Sequence, residues 1–218
     1  MDKVRAPRAV NIAATVLFVI AFFILLLSLS ISLPILNRWF YYIQIDTLGL
    51  ERASGHSYEE IKQAYDQILH YLLLPGREFG AGVFAFSEEG AAHFADWFVL
   101  EGALLGASAG IVAIILALHF AKVVKIGSAA GHSAAFWTAI AAVVLPVVLG
   151  CLIAADFDRA FEAFHAILFP GKDNWLFDPN TDEIIRVLPE EFFMNCAIFI
   201  GAGLVFFAAV TIAADCIA

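Results

Sequence analysis

Four stretches of this 218-residue chain carry no formal charge and are long enough to cross a lipid bilayer: residues 10–33, 102–121, 134–155 and 192–214. A membrane-spanning helix needs about 20 predominantly apolar residues. In hydrocarbon, a single segment satisfies its own backbone hydrogen bonds only as a helix. The sequence therefore predicts an all-α polytopic membrane protein with four transmembrane helices, the second of them extended back to about residue 98.

The composition agrees with a membrane protein. Hydrophobic residues make up 62% of the chain, charged residues only 15%, and the mean hydropathy is +0.86, whereas a soluble domain is nearer one quarter charged. The first apolar stretch is too long for a signal-peptide core and no small-residue cleavage site follows it, so we expect a retained anchor. We treat residues 1–218 as a single membrane domain. The net charge of −9 argues against nucleic-acid binding.

Basic residues predict the orientation. Lys3, Arg5 and Arg8 lie before the first span, and Lys122 and Lys125 lie between the second and third. In a four-span topology both segments fall on one side, which the positive-inside rule makes cytoplasmic. Counted between the charge-free stretches, so that the outer segments are residues 34–101 and 156–191, the inner segments sum to +3 and the outer ones to −12, in agreement with the net charge. We expect a multi-pass protein with both termini in the cytoplasm.

The two outer segments, residues 34–97 and 156–191, are too long to be simple turns and are predicted to form an extracellular cap of short helices. Ser57 and Glu60 have the spacing of a capping box, which predicts a helix through about Tyr71 that Pro75-Gly76 closes. Residues 175–182 are rich in turn formers and predict turns or a small hairpin.

The topology brings two histidines to the same outer interface. His93 precedes the second span and His165 follows the third. Asp96 is one helical turn from His93, and Glu162 and Asp158 stand one and two turns before His165. A carboxylate near an imidazole fixes its tautomer and raises its basicity, as a general base near neutral pH requires. The simpler interpretation is that these interfacial groups are only solvated.

Other chemistries find little support in the sequence. His93, Asp96, His165 and a further acid are the only candidate metal set, and their spacing matches no known ligand pattern, so no metal and no cofactor are expected. Residues 106–110 match G-x-S-x-G as a string but lie inside a predicted membrane helix, where the glycines instead favour helix packing. Three cysteines in apolar runs, Cys151, Cys196 and Cys216, indicate packed thiols.

The second outer segment resembles a known family. Its pattern consists of Phe161, Phe164, His165, Leu168 and Phe169, followed by Trp175-Leu-Phe-Asp178-Pro and then Asp182, Pro189 and Phe193. This pattern is similar to that of the lipoprotein intramolecular transacylase family (Lit) of Gram-positive bacteria, and residues 87–96 resemble that family's other signature. The chain departs from the family pattern at Phe94, Trp97 and Gly90, where methionine, valine and an acid are usual.

The resemblance implies a reaction in the plasma membrane on lipoproteins whose N-terminal cysteine carries an S-linked diacylglyceryl group. The sn-2 acyl chain moves to the α-amine of the same cysteine, giving the lyso-form lipoprotein. The family's two catalytic histidines correspond to His93 and His165, at the outer-leaflet interface. Asp96, Glu162 and Asp158 would support them, and the substrate pocket or cap would contain Phe94, Trp97, Phe161, Phe164, Phe169, Trp175, Asp178 and Asp182. The expected partners are diacylglyceryl lipoproteins and membrane lipid.

Two alternatives remain open from the sequence. One is a membrane hydrolase or metalloenzyme that uses the same histidine and aspartate cluster. The other is a non-catalytic membrane assembly partner whose acidic cap binds another protein. Ion transport is less attractive, because the predicted spans lack charges at their centres.

Overall fold

The structure, a computed structural model, describes residues 6–74 and 76–217, apart from the side chains at 149 and 151–155. Predictions that involve Lys3, Arg5, Pro75 or the Cys151 side chain therefore lie outside the described residues. In chain order the helices are α1 (Arg8–Leu36), α2 (Arg38–Thr47), α3 (Leu50–Ser54), α4 (Tyr58–Leu73), α5 (Glu88–Phe120), α6 (Ala134–Ala155), α7 (Phe157–Leu168) and α8 (Glu190–Ile217). A short hairpin (β1, Ser128–Ala129; β2, His132–Ser133) precedes α6, and a 3-10 helix (Glu183–Arg186) precedes α8.

Among the residues that the structure describes, three helices are long and apolar enough to cross a membrane: α1, α5 and α8, with 29, 33 and 28 residues. Helices α1 and α8 each include a predicted span, and α5 includes the second one up to Phe120. The predicted third span coincides with the 22-residue helix α6, but its described apolar part, Ala134–Val148, is shorter than a full span. The membrane character of the protein follows from the three long helices, and the four-span topology stays a prediction.

One compact unit contains residues 1–31, 101–150 and 200–218. Its apolar contacts join Phe18 and Ala21 of α1 to Val112 and Ile115 of α5. Many other large apolar side chains of these helices stay exposed, for example Ile114 at 62%. An outward apolar surface of this kind suits helices whose solvent is lipid.

The hairpin of this unit joins α5 to α6. Its two central residues, Ala130 and Gly131, both have positive φ angles, of 51° and 82°, as the tight two-residue turn of a hairpin requires. The Ser133 amide donates to Asp215 near the end of α8 at 3.0 Å. These contacts anchor the connection to the end of a long helix.

The second compact unit contains residues 32–100 and 151–199. Its core is built around fully buried Tyr41, whose ring stacks on Tyr65 with centroids 3.8 Å apart and whose hydroxyl donates to the Val187 carbonyl at 2.7 Å. The predicted capping box is confirmed: Ser57 accepts from the Glu60 amide, and the Glu60 carboxylate accepts from the Ser57 amide. Helix α4 extends two residues beyond the predicted end.

Of the two forms predicted for residues 175–182, the turns are confirmed and the small hairpin is wrong. The structure has consecutive turns there, followed by the 3-10 helix. The Thr181 and Asp182 amides both donate to the Asp178 carbonyl, at 3.0 and 2.7 Å. Pro179 has no amide hydrogen to offer a strand partner, so the backbone here is satisfied by local turns.

Candidate active site

Ser87 and Asp182 fix the beginning of α5. The Ser87 hydroxyl accepts from the Gly90 amide at 2.9 Å, as an N-cap residue does. Asp182, only 5% exposed, accepts from both the amide and the hydroxyl of Ser87 at 2.8 Å. The loop that contains Asp182 therefore sets the position of the first turns of α5, where His93 lies.

Gly90 lies where the resemblance seen in the sequence implies an acid, and the structure gives a reason for the glycine. A Cβ atom at this position would collide with the Asp182 carboxylate and would lie 2.9 Å from the Phe177 ring. A side chain at Gly90 is thus incompatible with the close packing of the 177–182 loop on α5. Glycine at this position therefore allows the loop to pack closely on α5.

His93 of α5 and His165 of α7 lie together, with ring centroids 5.5 Å apart. Asp156 caps α7 by accepting from the Arg159 amide at 3.1 Å. Both imidazoles are buried, with exposures of 9% and 6%. We call these two residues the histidine pair.

Aromatic rings enclose the histidine pair. His93 meets the edges of Phe169 and Phe177 at centroid distances of 5.0 and 5.8 Å. The His165 ring stacks on Trp175, with centroids 4.6 Å apart and planes at 22°, and contacts Phe161 at 4.2 Å. The rings exclude water from most of the surface of both imidazoles, apart from a small exposed edge.

This enclosure determines the charge of the pair. Helix α5 has 33 residues and is about 50 Å long, so it extends well beyond a bilayer core of about 30 Å. His93 lies in the first turns of α5, before its apolar part. Burial, and then the proximity of His165, lower the pKa of His93 to about 4. Burial also lowers the pKa of His165, against the opposing effect of a hydrogen bond to Phe161. Both imidazoles are therefore neutral at pH 7.

Phe161 fixes the tautomer of His165. The Nδ1 atom of His165 lies 2.8 Å from the Phe161 carbonyl oxygen. A carbonyl oxygen can only accept, so this nitrogen carries the hydrogen. The Nε2 atom of the neutral ring then has a free lone pair with which it can take a proton.

Asp96 is held by other residues than His93. Its carboxylate lies 2.5 Å from the Lys172 ammonium and accepts from the Asn174 amide at 3.0 Å. These two hydrogen bonds, the Lys172 bond first, lower the pKa of Asp96. In the part of the chain that the structure describes, no hydrogen bond joins Asp96 directly to His93.

The other predicted residues occupy several positions. Glu162 and Asp158 are on the exposed surface of α7, where no hydrogen bond among the described residues joins either of them to His165.

Phe94 stacks on Phe79 and Phe177 at 5.3 and 5.9 Å. Trp97 lies 6.1 Å from Phe164 and 6.4 Å from Phe169, so the two aromatic departures from the family pattern extend the aromatic surroundings. Asp178 forms a local turn with Asn180.

Three residues around the histidine pair are absent from the predicted site: Lys172, Asn174 and Phe177. All lie on the turn-rich loop after α7, where periodicity carries no information about which side chain points inward. Within residues 6–74 and 76–217, no group of three or more histidine, cysteine, aspartate or glutamate side chains is arranged to hold a metal ion.

Comparison with known proteins identifies the family. The family model for lipoprotein intramolecular transacylase Lit matches residues 16–193. A solved structure of the membrane integral lipoprotein intramolecular transacylase Lit from Bacillus cereus is 26% identical, with a TM-score of 0.78 over 94% of each chain. Solved structures of two variants of that protein, with one histidine replaced by arginine or by alanine, are 25% identical and have TM-scores of 0.76. These matches cover 95% of this chain, and 91% and 92% of the arginine and alanine variants. No curated protein gives a significant sequence match. The resemblance seen in the sequence is thereby confirmed, and the chain belongs to the lipoprotein intramolecular transacylase Lit family.

Proposed function

We propose that this protein transfers the sn-2 acyl chain of an S-diacylglyceryl cysteine to the α-amino group of the same cysteine. The observation that carries the proposal is the histidine pair: two buried, neutral imidazoles side by side in an aromatic enclosure. Donor ester and acceptor amine belong to one molecule, so the protein mainly has to hold them together and move protons. Family membership supports the same reaction.

The proton balance explains the use of two neutral imidazoles. At neutral pH the α-amine is largely an ammonium group, since its pKa is about 8. The C–N bond forms as the ester C–O bond breaks. Of the three ammonium protons, the amide keeps one, the departing glyceryl oxygen takes one, and one is released to water. Two protons therefore leave the nitrogen, and each imidazole can take one of them.

We assign the first proton to His165. Its Nε2 lone pair is free because Nδ1 donates to Phe161. Its ring stacks on Trp175, and an indole face stabilises a neighbouring cation. His93 then takes the second proton and passes it to the glyceryl oxygen. The low pKa of His93, about 4, makes its protonated form a ready donor.

The surroundings of the pair suit an acyl substrate. The rings of Phe161, Phe164 and Phe169 offer apolar contact to acyl chains, and exclusion of water protects the ester from hydrolysis. We place this site at the outer leaflet of the plasma membrane, in a four-span chain with both termini in the cytoplasm. Diacylglyceryl lipoproteins would reach it from the bilayer.

Mass spectrometry of a lipoprotein N-terminus tests the proposal. The lipoprotein is isolated from cells that lack other N-acylating enzymes, with and without this protein. We expect conversion of the diacylglyceryl form to the N-acyl lyso-form at unchanged total mass, because the acyl chain only changes its position. Loss of one acyl mass would instead indicate a hydrolase. An unaltered lipoprotein, despite confirmed expression, would favour the non-catalytic membrane partner.

The acid limit of activity should lie below the ordinary pKa of histidine. Both histidines have lowered pKa values in the folded protein, so they stay neutral, and able to accept protons, at pH values where a solvated imidazole is half charged. We expect the rate at saturating lipopeptide to decline with a midpoint clearly below pH 6.5. A midpoint at or above 6.5 would contradict burial of the pair.

Unfolding has to be separated from this titration. A histidine whose pKa is lowered on folding binds protons more readily when unfolded, so stability also falls as the pH drops from about 6.5 towards the folded value. The melting temperature is therefore followed at each pH, and rates are compared only where the protein stays folded.

A further inference from the structure

Two buried polar atoms at the site have no hydrogen bond of good geometry among the described residues: Nδ1 of His93 and Oδ1 of Asn174. Asn174 binds Asp96, and Asp96 lies one turn of α5 after His93, so the two atoms belong to neighbouring side chains. Buried polar atoms in folded proteins almost always have a partner. One of these atoms can carry a hydrogen and the other can only accept, so they are complementary.

The Asn174 amide is held in one orientation. Its Nδ2 group donates to Asp96 at 3.0 Å, and Asp96 is itself fixed by Lys172. A flipped amide would turn its oxygen towards an ionised carboxylate, which is unfavourable. The orientation that satisfies Asp96 leaves Oδ1 as the acceptor available to His93.

We propose that Asn174 is a positioning residue that holds His93 as the Nδ1–H tautomer, with Asp96 and Lys172 keeping the Asn174 amide in place. The opposite tautomer would set the Nδ1 lone pair of His93 against the Asn174 oxygen, with two buried acceptors facing each other. With Nδ1 protonated, His93 presents the Nε2 lone pair, as His165 does. Asp96 thus acts on His93 through Asn174. The inference rests on the proposed function only for its consequence on rate.

Nitrogen NMR of histidine reports the tautomer directly. The protein is labelled with 15N-histidine, and the His93 signals are those missing from His93→Ala. Wild type is expected to show a protonated Nδ1 and a bare Nε2 at pH 7.5. An Nε2–H tautomer in wild type would overturn the proposal. This test does not depend on whether the Asn174 variants fold.

Substitution of Asn174 tests its part in the reaction. Asn174→Leu keeps the size of the side chain but removes the acceptor, so we expect a mixed His93 tautomer and a kcat lower by about 10- to 100-fold, less than the loss of a whole acid–base group. KM should change less than about threefold. The matched control is Asn180→Leu, the same change at an exposed asparagine of the same loop, which should leave both readouts unchanged.

The variant Asn174→Asp keeps an acceptor oxygen for His93 but loses the amide donor to Asp96, so two carboxyl groups then face each other beside Lys172. It should retain the Nδ1–H tautomer that Asn174→Leu loses, at a lower melting temperature than wild type. An unchanged tautomer in Asn174→Leu would overturn the inference. A changed tautomer together with a wild type that transfers no acyl chain would leave the inference standing and reject the proposed function.

Discussion

Replacing either His165 or His93 by alanine is expected to lower kcat for acyl transfer by about 10²- to 10⁴-fold, the usual contribution of a positioned acid–base group. Each neutral ring would accept one of the two protons that leave the ammonium nitrogen, so neither ring can substitute for the other. KM should change little, because the aromatic rings that would hold the acyl chains remain. Initial rates with a synthetic diacylglyceryl lipopeptide measure both constants.

The double variant provides the sharper test. If the two rings act as one unit, the double replacement should be no slower than the worse single one. His70→Ala is the matched control, since His70 is exposed on α4 and should keep the wild-type rate. Multiplying effects, or a single variant that retains more than about one tenth of the rate, would contradict the proposed roles. Melting temperatures of all variants exclude loss of fold as the cause.

The helices could be predicted because their signals are local. Charge-free apolar stretches indicate the long helices, and the Ser57–Glu60 spacing indicates the beginning of α4 to the residue. His93 and His165 could be paired from topology alone, since each lies next to an apolar stretch on the same predicted side.

The partners of the histidines could not be predicted in the same way. Helical spacing assigned Glu162 and Asp158 to His165, yet both face outward, and the Phe161 carbonyl fixes the ring instead. Spacing indicates which residues share a helical face, but not whether that face is buried. Lys172 and Asn174 contact Asp96 from a loop that consists of turns. The sequence of such a loop has no helical or strand periodicity from which these contacts could be predicted.

Asp182 shows how much the structure adds to a prediction from sequence. The sequence places this residue in the substrate pocket or cap without indicating its partner, and the structure shows that it holds the beginning of α5 through Ser87. The same contact brings the 177–182 loop onto Gly90. Phe177 of this loop contacts His93, so one buried carboxylate supports both the helix that contains His93 and part of its aromatic surroundings.

Asp182→Ala is accordingly expected to destabilise the protein by about 2–4 kcal/mol. The change leaves the Ser87 amide and hydroxyl without their acceptor, at about 1–3 kcal/mol for each buried unsatisfied group, and removes a negative charge near a helix N-terminus. For a chain of this length, each kcal/mol corresponds to about 2–4 °C in Tm. We expect a decrease in Tm of roughly 5–15 °C in detergent micelles.

Two further variants separate the hydrogen bonds of Asp182 from its charge. Asp182→Asn keeps one acceptor oxygen for Ser87 and should lose only about half as much stability. Asp173→Ala removes the same charge from an exposed position of the same loop and should change Tm by no more than about 2 °C, since exposed substitutions cost at most about 0.5 kcal/mol. Equal melting temperatures for Asp182→Ala and Asp173→Ala would show that the Ser87 contact contributes nothing. If the contact does position α5, kcat should fall in Asp182→Ala even at temperatures where the variant is fully folded, because the first turns of that helix determine where His93 meets His165.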